Sequence, residues 1–500
     1  MHSITAAFVC YCCSEAVNFQ KGTDTMETIL SRRGFLRSIG VSIATLAMAG
    51  STDAVEYQAA NLSNQKPNIL LIVSDDQGWG DAACNWDHTN IETPVMDEIA
   101  NTGVRFSQFY VNPLCAPTRS SFMTGQYSME NGMWRGPSKE REEERCISND
   151  VTILPQFLKK AGYRTGIFGK WHLGYQTPNI PNDRGFDEFY GFLGGAHPYA
   201  PTPARLLMHN QQRYSEDMHL TDYFTEKALS FIKDCAQKKN PFFCYVPYNA
   251  VHGPLWREES QKPSGKKEWL QKYASKNIDF PRRDYNAILG HMDHSVGRLL
   301  RLIKDLKMEE NTLVIYFSDN GACLMTAETK ANYPGNNGPF RGGKGGTYEG
   351  GIRVPCVMRW KNKFPEGFVS DDTVVHFDIF STVLEAAGLP VPKTNGKNPV
   401  HGVSLMKHIL SRGKEPMPER TVFWELTGKI AARKGKWKLV GNVEATRGKW
   451  QQMVSELQNA NLELYNLETD IGETRDLRQE HPAEYANLKK ELITFFESIK

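Results

Sequence analysis

The chain has 500 residues, 40% of them hydrophobic and 23% charged, with 59 basic against 57 acidic side chains and a formal net charge of +2. These values describe an ordinary globular protein, long enough for one large core and a smaller companion, and they exclude a disordered or low-complexity chain. So balanced a charge gives no reason to expect a polyanion-binding surface. No zinc-finger spacing or basic–aromatic module accompanies it, so no nucleic-acid partner is expected.

In chain order, residues 1–49 read as an export signal. Ser31-Arg32-Arg33-Gly34-Phe35-Leu36-Arg37 precedes the apolar run 39–49, which closes in Ala47-Met48-Ala49. A paired-Arg region, a short apolar stretch and a small-x-small end are the parts of such a signal. The combination resembles a twin-arginine signal, which implies the twin-arginine export machinery as a transient partner. Removal near Ala49 would leave a mature N-terminal segment of residues 50–66 and a periplasmic or secreted product. Met1 and Met26 both stay open as the start. No later run approaches the ~20 apolar residues that span a bilayer, so no stable membrane span is expected.

The next elements are strands and helices in alternation. Residues 67–74, 241–247 and 312–318 are short continuous apolar runs, of the kind that suits strands covered on both faces. Helical patterns occupy 93–102, 152–161, 221–235 and 285–305; the last puts Ile288, Leu289, Met292, Val296, Leu299, Leu300 and Ile303 on one stripe. The alternation predicts an α/β fold, a large mainly parallel sheet sandwiched by helices, over residues 67–395. A Lys-, Asn- and Pro-rich connector at 392–399 follows. Residues 421–426, 431–440 and 461–467 then read as short strands, and 482–499 as a helix. Residues 396–500 are therefore expected to form a smaller antiparallel sheet packed by a helix.

Two strand ends carry acid–acid or acid–amide pairs: Asp75-Asp76 after the first, Asp319-Asn320 after the 312–318 run. Crevices in open α/β sheets form beyond the carboxyl ends of strands, so the two pairs are expected to face one another. Three carboxylates and an amide oxygen make a hard oxygen site, suitable for Ca²⁺ or Mg²⁺. Ten cysteines occur, with Cys10, Cys12 and Cys13 in the signal. The remaining seven are an odd number too widely spaced for a disulfide scaffold or a zinc cluster, which directs attention to a single special thiol.

That thiol is Cys115, in Cys115-Ala116-Pro117-Thr118-Arg119-Ser120-Ser121-Phe122-Met123-Thr124-Gly125. The segment resembles the Cys-x-Pro-Ser/Thr-Arg signature of the type I sulfatases, within the alkaline-phosphatase-like superfamily. The likeness extends from residue 66 to residue 477. It includes Gly169-Lys170-Trp171-His172-Leu173-Gly174, His252 in Asn249-Ala250-Val251-His252-Gly253-Pro254, Asp319-Asn320-Gly321, and Lys344 ahead of Glu349-Gly350-Gly351-Ile352-Arg353-Val354-Pro355. The resemblance implies that a formylglycine-generating enzyme converts Cys115 to formylglycine. It implies metal ligands Asp75, Asp76, Asp319, Asn320 and residue 115, and a catalytic set of Cys115, Arg119, Lys170, His172, His252, Asp319 and Lys344.

On this reading one hydroxyl of the hydrated aldehyde attacks sulfur, oriented by Asp319, while Arg119 and Lys170 neutralise the sulfate oxygens. Arg119 can equally brace residue 115. His252 or Lys344 protonates the departing alcohol, and His172 takes a proton from the second hydroxyl, which then expels sulfate. The expected substrate is a sulfated saccharide, a 6-O-sulfated galactose-type unit among the options. His197 is a candidate substrate contact; His88 and His376 stay open between structural and substrate-facing roles. Two other functions compete: a phosphonate or phosphate monoester hydrolase of the same superfamily, and a catalytically silent carbohydrate-binding homologue.

Overall fold

All seven residues of the strand Asn68–Ser74 are buried, because its two faces meet two different cores. Ile69, Leu71 and Val73 pack with Phe122, Leu154, Leu158, Phe380 and Val383, from the helices Cys115–Thr124, Leu154–Lys160 and Asp378–Ala386. Leu70 and Ile72 pack with Met96, Phe224, Ile288 and Met292, from the helices Pro94–Asn101, Leu220–Lys238 and Arg282–Asp305. Successive side chains of a strand point to opposite faces, so an uninterrupted apolar run is what a helix-covered sheet requires. The computed structural model describes residues 66–499 apart from 141–144, 201–205, 254–255, 258–261, 279, 325–333 and 445–447. The expected export signal of residues 1–49 and the segment after it up to residue 65 lie outside the described residues.

The main sheet has ten strands. Their order across it is Phe368–Ser370, Val104–Phe106, Cys356–Arg359, Thr312–Ser318, Asn68–Ser74, Phe242–Pro247, Arg164–Lys170, Glu188–Phe192, Leu207–His209, Gln212–Tyr214. The five from Thr312–Ser318 to Glu188–Phe192 run parallel, and antiparallel pairings flank them, so the sheet is mixed with a parallel centre. The expected sheet and its helical layers are present.

A second, antiparallel sheet is built from Val422–Leu426, Lys429–Lys434, Trp437–Asn442 and Glu463–Asn466, with the helix Pro482–Ser498 packed on it. The run 431–440, read as one strand, is two: Gly435 at φ 53° turns the chain between Lys434 and Trp437. The helix Trp450–Asn459 had no counterpart in the sequence reading. Among the described residues no helix is long and apolar enough to cross a membrane. All seven described cysteines are free of disulfides.

Candidate active site

Four parallel strands deliver side chains to one spot. Ser74 and Ser318 are partners in register, so the residues that follow them sit side by side. The Asp319 amide donates to the Ser74 carbonyl at 3.1 Å, and the Asn320 side-chain amide donates to Asp76 Oδ1 at 2.7 Å. The strand Phe242–Pro247 leads into the turn holding His252, tied to Asp75 by amide–carbonyl bonds of 2.8 and 2.6 Å in both directions. The strand Arg164–Lys170 brings Lys170 and then His172. Its Gly169 has φ 142°, and a Cβ there would lie 2.0 Å from the Pro247 carbonyl oxygen, so only glycine lets these two strand ends approach. Asp76 and His172 also hold positive φ, at 63° and 59°, a strain of about 1–3 kcal/mol each that the surrounding bonds must offset.

Cys115 opens the helix Cys115–Thr124 and is 3% exposed, with its Sγ 3.2 Å from His172 Nδ1. One turn on, Arg119 is fully buried. It grips Asp319 Oδ2 through Nε at 3.0 Å and Nη2 at 2.7 Å, and Nη1 donates to the Lys170 carbonyl and the Tyr245 hydroxyl. Lys170 Nζ donates to Asp75 Oδ2 at 2.7 Å. Lys344 Nζ lies 2.7 and 2.9 Å from the two oxygens of Asp76, and His252 Nε2 lies 3.8 Å from Asp76 Oδ2. Every residue expected in the catalytic and metal sets is therefore brought into one network. Tyr245 belongs to it as well and was not foreseen, because a tyrosine inside an apolar strand reads as core.

The electrostatics follow from burial and three cations. Burial pushes the Cys115 thiol up, with Lys170 and Lys344 opposing, so the unmodified side chain is a thiol rather than a thiolate. Burial, with Lys170 and Arg119 adding to it, holds His172 well below the usual histidine range; burial and Lys344 lower His252. Burial alone would raise Asp76, but Lys344 and His252 bring it well below the carboxylate range. Asp319 moves the other way, raised by burial and by Asp75 against the pull of Arg119.

The donor set fits a hard cation. Ligand atoms of Asp75, Cys115 and Asp319 lie within 4.8 Å of one another, as do those of Asp75, Asp76 and His252. Asp75 Oδ1 and Asn320 Oδ1 are buried and accept no hydrogen bond, and such orphaned oxygens are costly unless something positive meets them. Arg119, Lys170 and Lys344 already balance Asp75, Asp76 and Asp319, so a bound divalent ion would leave the site positive and ready for an anionic substrate.

A cavity of about 770 Å³ lies beside this network, lined by Tyr175, Phe192, Gly195 and His197 among others. A Cβ on Gly195 would come within 2.7 Å of the His172 ring, so only glycine lets this part of the cavity wall pack against the histidine. His197 is thus at the cavity wall, its Nδ1 2.8 Å from the Pro198 carbonyl oxygen. His376 is 2% exposed and bonded to the Tyr110 carbonyl and Asn112, a structural position. His88 is exposed beside Trp86, apart from the network.

A model of the sulfatase family matches residues 67–389, and one for the C-terminal region of N-sulphoglucosamine sulphohydrolase matches residues 343–499. Mouse N-acetylgalactosamine-6-sulfatase is 34% identical over 384 residues, covering 72% of this chain and 69% of that protein. A sulfatase of Formosa agariphila is 28% identical over 500 residues, covering 84% and 86%. The crystal structure of Ps i-CgsB in complex with k-i-k-neocarrahexaose superposes with a TM-score of 0.75 at 29% identity, covering 87% of this chain and 94% of that one. A family model matched over more than half of its length and a relative 34% identical decide the matter: the chain belongs to the sulfatase family, whose members hydrolyse sulfuric esters.

Proposed function

We propose that this chain is an exported sulfatase that removes an O-sulfate from a saccharide, with a 6-O-sulfated galactose-type unit as the first substrate to try. The observation that carries the mechanism is convergence: Cys115 Sγ lies 3.2 Å from His172 Nδ1, beside carboxylates with an orphaned oxygen and three buried or nearly buried cations. The names of the relatives and the k-i-k-neocarrahexaose bound to Ps i-CgsB support the saccharide.

Asp75, Asp76, Asp319 and Asn320, with residue 115, would hold Ca²⁺, which supplies charge to a sulfate oxygen and acidity to a hydroxyl on residue 115. Formylglycine at 115 supplies, as its hydrate, two hydroxyls where serine or cysteine has one nucleophilic group. Asp319, fixed by the Arg119 fork, orients the first of these. Lys170 and Arg119 present positive charge to the nonbridging oxygens. His172 Nδ1 is placed to accept a proton at residue 115, and His252 and Lys344, on the Asp76 side, to supply one to the departing alcohol. In this reading residues 67–395 are the catalytic domain, 396–500 the C-terminal α+β subdomain, and 1–49 the removed signal. His197 contacts the sugar.

Two measurements test this. Formylglycine lowers the mass of the peptide holding residue 115 by about 18 Da relative to cysteine, and the converted protein releases sulfate from defined sulfated saccharides. Faster turnover of a phosphate or phosphonate monoester of the same alcohol would reassign the site. Exported protein with an intact N-terminus would refute the signal.

A further inference from the structure

The cavity beside His172 has a one-sided charge. Among the described residues, its charged lining side chains are Lys139 and Arg213, with no aspartate or glutamate. Both side chains are exposed, and neither has a carboxylate partner among the described residues. The two cations reach the cavity from separate segments. Lys139 Nζ stands 5.4 Å from the centre of the Tyr175 ring. Arg213 comes from the edge strand Gln212–Tyr214, opposite Met208, which also lines the cavity. At about 770 Å³ the space is near the upper end of the ~300–1,000 Å³ typical of small-molecule sites. Residue 115 does not line it, so this volume is available to a sugar unit other than the one at residue 115.

We propose that Lys139 and Arg213 form a second anion subsite, reading a sulfate ester or carboxylate on the sugar unit next to the one that carries the scissile sulfate. The inference rests on the saccharide reading above. Two cations on a concave wall whose described lining holds no carboxylate raise the local potential for an anion, and the planar guanidinium of Arg213 can meet either oxyanion with two parallel hydrogen bonds. Gly195 on the cavity wall packs against the His172 ring, and His172 touches Cys115, so the cavity stands one side chain away from residue 115, within reach of the next unit of an oligosaccharide.

Three oligosaccharides sharing one scissile sulfate test the subsite, their neighbouring unit bearing no charge, a sulfate or a carboxylate. The expected result is a kcat/KM for at least one charged substrate about tenfold above the neutral one at low salt, fading as sodium chloride screens it. Which charged substrate gains identifies the anion. The double variant Lys139→Ala/Arg213→Ala should bring the charged substrates down to the neutral value without changing turnover of the neutral one or the melting temperature. Equal kcat/KM for all three in the native protein, or an equal loss on all three in the variant, would overturn the subsite alone. Failure to cleave any of them while an aryl sulfate is hydrolysed would remove the saccharide reading and the subsite together.

Discussion

Cys115 touches His172 and is otherwise enclosed by its own helix and the strand ends. Cys115→Ala removes the reacting group and little packing, so kcat should fall by at least about 1,000-fold while thermal unfolding shifts by only a few degrees. Full activity in that variant would end its assigned role. His376 makes a different prediction. Burial, with Arg420 adding to it, depresses its pKa from 6.5 to about 3, with Nδ1 donating to the Tyr110 carbonyl and Nε2 accepting from Asn112. The unfolded chain binds the proton more readily, so this contribution is complete above pH 6.5 and drains away as pH falls towards 3. The slope is about 1.4 kcal/mol per pH unit. Urea unfolding at pH 7.5 and 5.5 should show the loss, and His376→Gln should flatten it; an unchanged slope would contradict the assignment.

Among the elements, the buried lysine Lys438 joins the C-terminal sheet to the catalytic body. Its Nζ lies 2.8 Å from both Glu349 and Glu473, all three side chains fully buried, and Glu349 starts the short helix five residues after Lys344. Lys438→Met would leave Glu473 without a cation and Glu349 with Arg353 alone at 3.4 Å, which should destabilise the fold by about 3–5 kcal/mol in chemical denaturation. A loss below about 1 kcal/mol would mean that the carboxylates find other partners. The strands with long β-branched and aromatic runs, 68–74 and 312–318, were legible in advance. Arg164–Lys170 was not, because Gly166 and Gly169 break the apolar pattern to make room for neighbouring groups. The hairpin at Gly435 was missed for a similar reason, since a glycine inside an otherwise even run reads as a weak strand residue.

At the scale of the whole molecule, the proposed cation couples stability to activity. A ligand bound only by the folded state adds about 2.7 kcal/mol at a hundredfold excess over its Kd. Chelation should therefore abolish sulfate release and lower the unfolding midpoint, with Ca²⁺ restoring both more fully than Mg²⁺; a midpoint and activity indifferent to chelator would exclude the metal. The α/β class and the identity of Cys115, Arg119, Lys170, His172, His252 and Lys344 could be read from the linear chain. Apolar runs report burial locally, and the proposed reacting groups sit in short motifs whose residue types are constrained by their chemistry. Three-dimensional packing alone placed Ser74 opposite Ser318, left Asp75 Oδ1 and Asn320 Oδ1 facing no donor, and set Tyr245 against Arg119. It also put Lys139 and Arg213 on one cavity wall. Register and juxtaposition arise from strand pairing across hundreds of residues, and no local pattern encodes a contact between segments that far apart.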